Sequence, residues 1–258
     1  MKLLVKLLLS AFLFVLFGFS SQTVFADAKS DYELQYSRYR QNYIEYTILK
    51  KDYLANPTLD NQQKAVLAAK QTLQTRDLSK ANYAAYLLSL CEGTKTNYAP
   101  VKPILDSLTQ AKAFFLSEAD KSQTIITPAQ LATYTQNYLT AVVPHDRSFR
   151  TGIVACKISQ LVSFQVESKN ALDVILPKLA TPFSTPLQTR IDDLQSQGNK
   201  INEDINTFTN KIFSEEEVLN IDYDNYFSNK SETIKKIQTL QLKWIDSLID
   251  IDLNYAHS

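Results

Sequence analysis

The sequence predicts an all-α fold, an antiparallel bundle of long helices with coiled-coil-like heptad seams and a C-terminal helical hairpin. Three observations carry this. Apolar and phenolic residues recur in steps of three, four and seven along most of the chain, the repeat of helices that lie side by side. Glycine is nearly absent, four in 258 residues. Tight hairpins, phosphate loops and dinucleotide folds all consume glycine, so sheet-rich and nucleotide-binding architectures are excluded. Finally, threonine, serine and proline stand where helices need starts and stops.

Residues 1–26 read as a secretory signal peptide: Lys2 and Lys6, then an apolar run from Leu7 to Phe19, then Val24-Phe25-Ala26 before the cut. The alternative is an uncut anchor, but the apolar run is short of the roughly 20 residues a bilayer span requires. No other segment reaches that length, so no membrane span is expected once the leader is removed. The expected location is therefore secreted or cell-envelope. The chain has 27 basic and 27 acidic side chains, and Lys2 and Lys6 leave with the leader, so the mature protein is slightly acidic. With no basic run longer than a Lys-Lys pair, a nucleic-acid partner is excluded.

The chain is expected to divide into the leader, a helical bundle over 27–183 and a long helical hairpin over 184–258, packed on the bundle or projecting from it. Ser30 and Glu33 form a capping-box pattern, starting a first helix near Asp31 that Asn56-Pro57 stops. That helix carries Tyr32, Tyr36, Tyr39, Tyr43, Tyr46 and Tyr53 on one seam, with Lys50 on the vacant rung. Thr58 caps a second helix that ends before Gly93, and a third follows from Val101 to about Asp120. Thr127-Pro128-Ala129-Gln130 starts a fourth. Pro144 kinks or ends it, and His145-Asp146-Arg147 forms an interhelical corner before a fifth helix over 148–176. Pro177, Pro182 and Pro186 mark a joint. Thr185 and Gln188 cap the next helix, whose seam is Leu187, Ile191, Leu194, Ile201, Ile205, Phe208 and Ile212, with Gly198 on the vacant rung. The segment 214–229 either continues that helix or opens a new one. The last helix carries Ile234, Ile237, Trp244, Leu248, Ile251 and Tyr255.

The tyrosine ladder is the first interaction candidate, since a row of phenols is either a sticky surface or a seam wide enough for rings. Cys91 and Cys156 are the only cysteines, and in an exported chain they are candidates for a disulfide, the alternative being two buried thiols. Such a bridge would close a loop of about 65 residues and add roughly 4 kcal/mol on the loop-entropy model. His145 beside Asp146 suggests a general base or ligand, but neighbouring residues in a turn point different ways, so a solvated corner is expected. Glu215, Glu216, Glu217, Asp222 and Asp224 form an acidic patch that lacks the glycine and third oxygen ligand of a calcium loop. No catalytic residue, metal site or cofactor is expected, and none of the common hydrolase or phosphate-binding motifs occurs.

The opening region, with Tyr39-Arg40, Tyr43, Glu45-Tyr46, Tyr53-Leu54, Thr58-Leu59, Leu73 and Arg76, resembles helical segments of uncharacterised exported proteins of small-genome, candidate-phylum bacteria. The resemblance spans about residues 31–90. It implies a bacterial leader and an extracytoplasmic helical fold, and no activity. The expected function is an exported helical-bundle protein of the cell envelope, not an enzyme, acting as an interaction or scaffold module. Its partner would be another envelope protein, or a second copy through helix faces. The alternative is an extracytoplasmic small-molecule-binding or sensory bundle.

Overall fold

A computed structural model describes residues 22–92, 98–179, 183–214 and 223–255. Among these residues there are seven α-helices and no strand: α1 (Gln22–Ala55), α2 (Leu59–Glu92), α3 (Lys102–Ser122), α4 (Pro128–Ala141), α5 (Val143–Ile175), α6 (Thr185–Ser214) and α7 (Tyr223–Tyr255). Single 3-10 turns at Ala99–Val101 and Leu176–Lys178 flank α3 and α5. The fold is all-α. Contacts divide the chain into two compact units, Met1–Gly93 with Ser107–Asp146, and Thr94–Asp106 with Arg147–Ser258. The boundary expected at 183/184 thus falls inside the second unit, because α6 and α7 share one core with α5.

In the first unit, α1 and α2 form an antiparallel hairpin. Pairing along its length shows the register: Gln62 Nε2 donates to the Tyr53 hydroxyl (3.1 Å), the Thr72 hydroxyl to the Asn42 carbonyl (2.9 Å), and Tyr32 lies 5.0 Å from the Tyr83 ring. The face α2 turns inward is rich in small residues, Ala65, Ala68, Ala69, Ala81 and Ala84, which leaves room for the rings opposite. Thr58 is the N-cap, its Oγ1 accepting from the Asn61 amide at 3.2 Å, and the Asn56 carbonyl accepts from Asn61 Nδ2 at 2.8 Å. Both bonds fix the turn that Pro57 imposes.

The expected start of the first helix at Asp31 needs correction. α1 runs through Ser30, because nothing between Gln22 and Ser30 breaks a helix and Glu33 pairs with Lys29 (3.5 Å) rather than reaching back to Ser30. Most of the expected leader lies outside the described residues. So do residues 93–97, Pro182, residues 215–222 with their acidic run, and His257. At α4 the capping box forms as the pattern requires. Thr127 Oγ1 accepts from the Gln130 amide (3.2 Å), and Gln130 Oε1 accepts from the amides of Thr127 (3.1 Å) and Ile126 (2.8 Å). Pro144 marks the end of α4, which stops at Ala141 before α5 begins at Val143. It sits in the first turn of α5, where a missing amide leaves no bond unmade, so His145, Asp146 and Arg147 are helical and not a corner. α6 also starts one residue earlier than expected, since the Ser184 carbonyl accepts from the Gln188 amide at 2.9 Å. Thr185 is therefore inside the helix.

The second unit is built on α5, α6 and α7. Every rung of the α6 seam, Leu187, Ile191, Leu194, Ile201, Ile205, Phe208 and Ile212, is buried, as are Val154, Ile158 and Leu161 of α5 and Ile237, Leu248 and Ile251 of α7. The vacant rung at Gly198 is occupied from across the interface. The Trp244 indole packs there, and its Nε1–H donates to the Leu194 carbonyl at 2.7 Å. Gln241 takes the rung between Ile237 and Trp244 and donates to the Leu161 carbonyl at 2.8 Å, so this buried amide is satisfied across helices.

Candidate functional site

The most distinctive chemistry in the described structure is a buried carboxylate in the first unit, Asp77 on α2, with 0% of its surface exposed. An isolated charge in that position would be strongly disfavoured by lost hydration, so the neighbours must compensate for it. Four hydrogen bonds do so. Arg76 forms a fork, Nε to Oδ1 at 2.9 Å and Nη2 to Oδ2 at 3.0 Å. Two phenols from α4 complete the set: Tyr138 donates to Oδ1 at 2.9 Å and Tyr134 to Oδ2 at 3.1 Å. The spacing of those two tyrosines, one helical turn apart, is what lets a single carboxylate receive both.

Cations lie over the aromatic rings of the same centre. The Arg76 guanidinium is 3.7 Å from the Tyr138 ring centroid, and Lys80 Nζ is 5.0 Å from that of Phe115 while pairing with Asp146 at 2.9 Å. Burial pushes both phenols far above the ordinary tyrosine range, and the Asp77 charge adds to the shift. They are therefore fixed as donors and are no bases at neutral pH. Burial also works against the Arg76 charge, but the bonds to Asp77 outweigh it and hold its pKa above the usual value. Both carboxylate oxygens carry two donors each. The centre clamps α4 to α2.

The tyrosine ladder meets this centre at one rung. Tyr39 is raised mainly by burial, with Arg76 close enough to oppose the shift. The ladder rings form a chain of contacts: Tyr32–Tyr36 at 5.9 Å, Tyr36–Tyr39 at 6.4 Å and Tyr39–Tyr43 at 6.1 Å. Tyr32 also stacks on Tyr86. Lys50, on the vacant rung, lies 5.7 Å from the Tyr46 ring. Tyr32, Tyr39, Tyr46 and Tyr53 are half-buried, whereas Tyr36 and Tyr43 stay exposed at the edge of the hairpin. The opposite side of α1 carries Leu34 (51% exposed), Ile44 (59%) and Ile48 (55%). An open depression on this side is lined by Glu33, Tyr36, Ser37, Arg40, Gln41 and Ile44.

Cys91 and Cys156 are both disulfide-bonded, and both are buried. His145, expected at a solvated corner, instead stacks on Phe114 with ring centroids 4.1 Å apart, and burial lowers its pKa. No group of three or more His, Cys, Asp or Glu side chains placed to hold a metal occurs among the described residues. No described helix is long and apolar enough to cross a membrane.

The pattern reading missed the Asp77 centre, although its signals were present. Asp77 lies four residues before Ala81 and seven before Ala84, on the buried stripe of α2, where an unpaired acid is out of place. Tyr134 and Tyr138 repeat at one-turn spacing on a short helix. No family model, curated protein or solved structure matches the chain.

Proposed function

We propose that the chain is an exported interaction or scaffold protein of the cell envelope, whose α1–α2 hairpin offers the outer side of α1 to another protein. The observation that supports this reading is the division of α1 into two sides. One packs its phenols along α2, and the other leaves Leu34, Ile44 and Ile48 more than half exposed on a helix of 34 residues. A helix can lose its solvent on such a stripe only by meeting a second surface. The signal-peptide pattern of residues 1–26 supports export. A scaffold role agrees with the Asp77 centre, whose phenols and guanidinium all donate to one carboxylate and so hold helices together.

Charged substitutions at Ile44 and Ile48 test the proposal. Ile44→Glu with Ile48→Glu leaves the helical circular dichroism unchanged, because neither side chain is buried, and abolishes co-purification of a partner from the native envelope. Retention of the partner would refute it. The small-molecule reading draws on the depression lined by Glu33, Tyr36, Ser37, Arg40, Gln41 and Ile44, where an aromatic face lies beside donors and acceptors. A thermal-shift screen distinguishes the two, since a ligand of the folded state must raise the melting temperature.

A further inference from the structure

We propose that α4 is a releasable strap, closed over the first unit by the Asp77 carboxylate and able to open without unfolding the helices beneath it. The inference rests on how few points hold α4. Its two ends are pinned by apolar side chains just outside the helix, Ile125 and Val142, both buried. Within its 14 residues only Tyr138 is buried, while Leu131 and Tyr134 are half-buried and Leu139 faces solvent. A helix of that length is marginal in water on its own, so its persistence depends on docking. Docking here depends on polar bonds that converge on one residue.

Both inward phenols of α4 donate to Asp77, and the Tyr138 ring covers the Arg76 guanidinium that neutralises the same carboxylate. The remaining bond from Tyr134 is a longer one, to the Glu118 carbonyl at 3.4 Å. Removing the charge on Asp77 therefore weakens both phenol bonds and the Arg76 fork in one step. The long heptad seams of α6 and α7 have no such single point of failure. Small apolar burial and convergent polar bonds are the marks of a segment that opens locally below the free energy of global unfolding. Opening would uncover the side of the Phe114 ring that faces Tyr138, 6.2 Å away, along with the Arg76 and Asp77 charges. The strap thus separates a closed polar surface from an open one with aromatic and charged groups exposed.

Hydrogen exchange read by mass spectrometry on the full chain tests this. In the wild type, amides of 131–141 should exchange faster than those of 65–91 in α2. In Asp77→Asn, and in the Tyr134→Phe/Tyr138→Phe variant, exchange over 131–141 should rise roughly tenfold or more, as expected for losing bonds to a charged acceptor. Peptides of 201–212 and 237–251 should be unchanged. The phenylalanine variant keeps the rings and the Arg76–Asp77 fork, so it remains informative if Asp77→Asn fails to fold. An equal rise across α2 and α3, or none over 131–141, would overturn the proposal.

Discussion

Replacing Gly198 puts pattern and packing in direct opposition. On the heptad pattern alone, an apolar residue at 198 would complete the α6 seam, and alanine for glycine within a helix contributes about 1 kcal/mol. The structure predicts the reverse. A Cβ at Gly198 would stand 3.1 Å from Trp244 Nε1, closer than ordinary contact, and the indole is 2% exposed and anchored by its bond to the Leu194 carbonyl. Forcing an extra group into such a site costs about 1–3 kcal/mol, so Gly198→Ala comes out roughly 1 kcal/mol less stable. Gly198→Leu expels the indole and should cost about 3 kcal/mol or more. Trp244 is the sole tryptophan, so its fluorescence during urea unfolding reports this unit. In a double-mutant cycle, Gly198→Leu with Trp244→Leu should recover part of the loss, giving a coupling above the roughly 0.5 kcal/mol seen for independent sites. A Gly198→Leu protein as stable as the wild type, or more so, would show that Trp244 does not fill that rung.

Two further outcomes follow from single side chains. Gln35 Oε1 on α1 is buried without a hydrogen-bond partner among the described residues, so Gln35→Met should raise stability by about 1 kcal/mol in thermal unfolding, and a loss would contradict this. His145 has a folded pKa below its usual 6.5 because burial disfavours its charge. The unfolded chain then takes up the proton first, so stability falls as pH drops from about 6.5 toward the folded pKa and levels off below it. His145→Phe keeps a ring against Phe114 and should flatten the melting temperature over that interval. An unchanged pH profile would place the titration elsewhere.

Much of the architecture could be read from the sequence because it rests on period and punctuation. The α6 seam is buried at every expected rung, and Thr58 and Thr127 start their helices with the bonds that their side chains are built to make. Helix starts were misread where a local pattern competed with propagation. Ser30 and Glu33 match a capping box, but an uninterrupted helix continues through them, and the helix after the break at Pro144 starts at Val143 rather than near Ser148, because proline suits a first turn. The site was less legible for a different reason. Besides its neighbour Arg76, the Asp77 charge is made tolerable by partners 57 and 61 residues away, and no local pattern records those two pairings. His145 was misplaced for the same reason, its stacking partner being Phe114 on another helix.

Hydroxyl-radical footprinting of the chain, first isolated and then within its native envelope, tests the two-sided use of α1 most directly. Leu34, Ile44 and Ile48 should be oxidised readily in the isolated chain and become protected in the envelope, while Tyr39 stays comparatively shielded in both. If those three aliphatic residues are shielded from the outset, or remain equally reactive in the envelope, α1 does not offer that side to a partner.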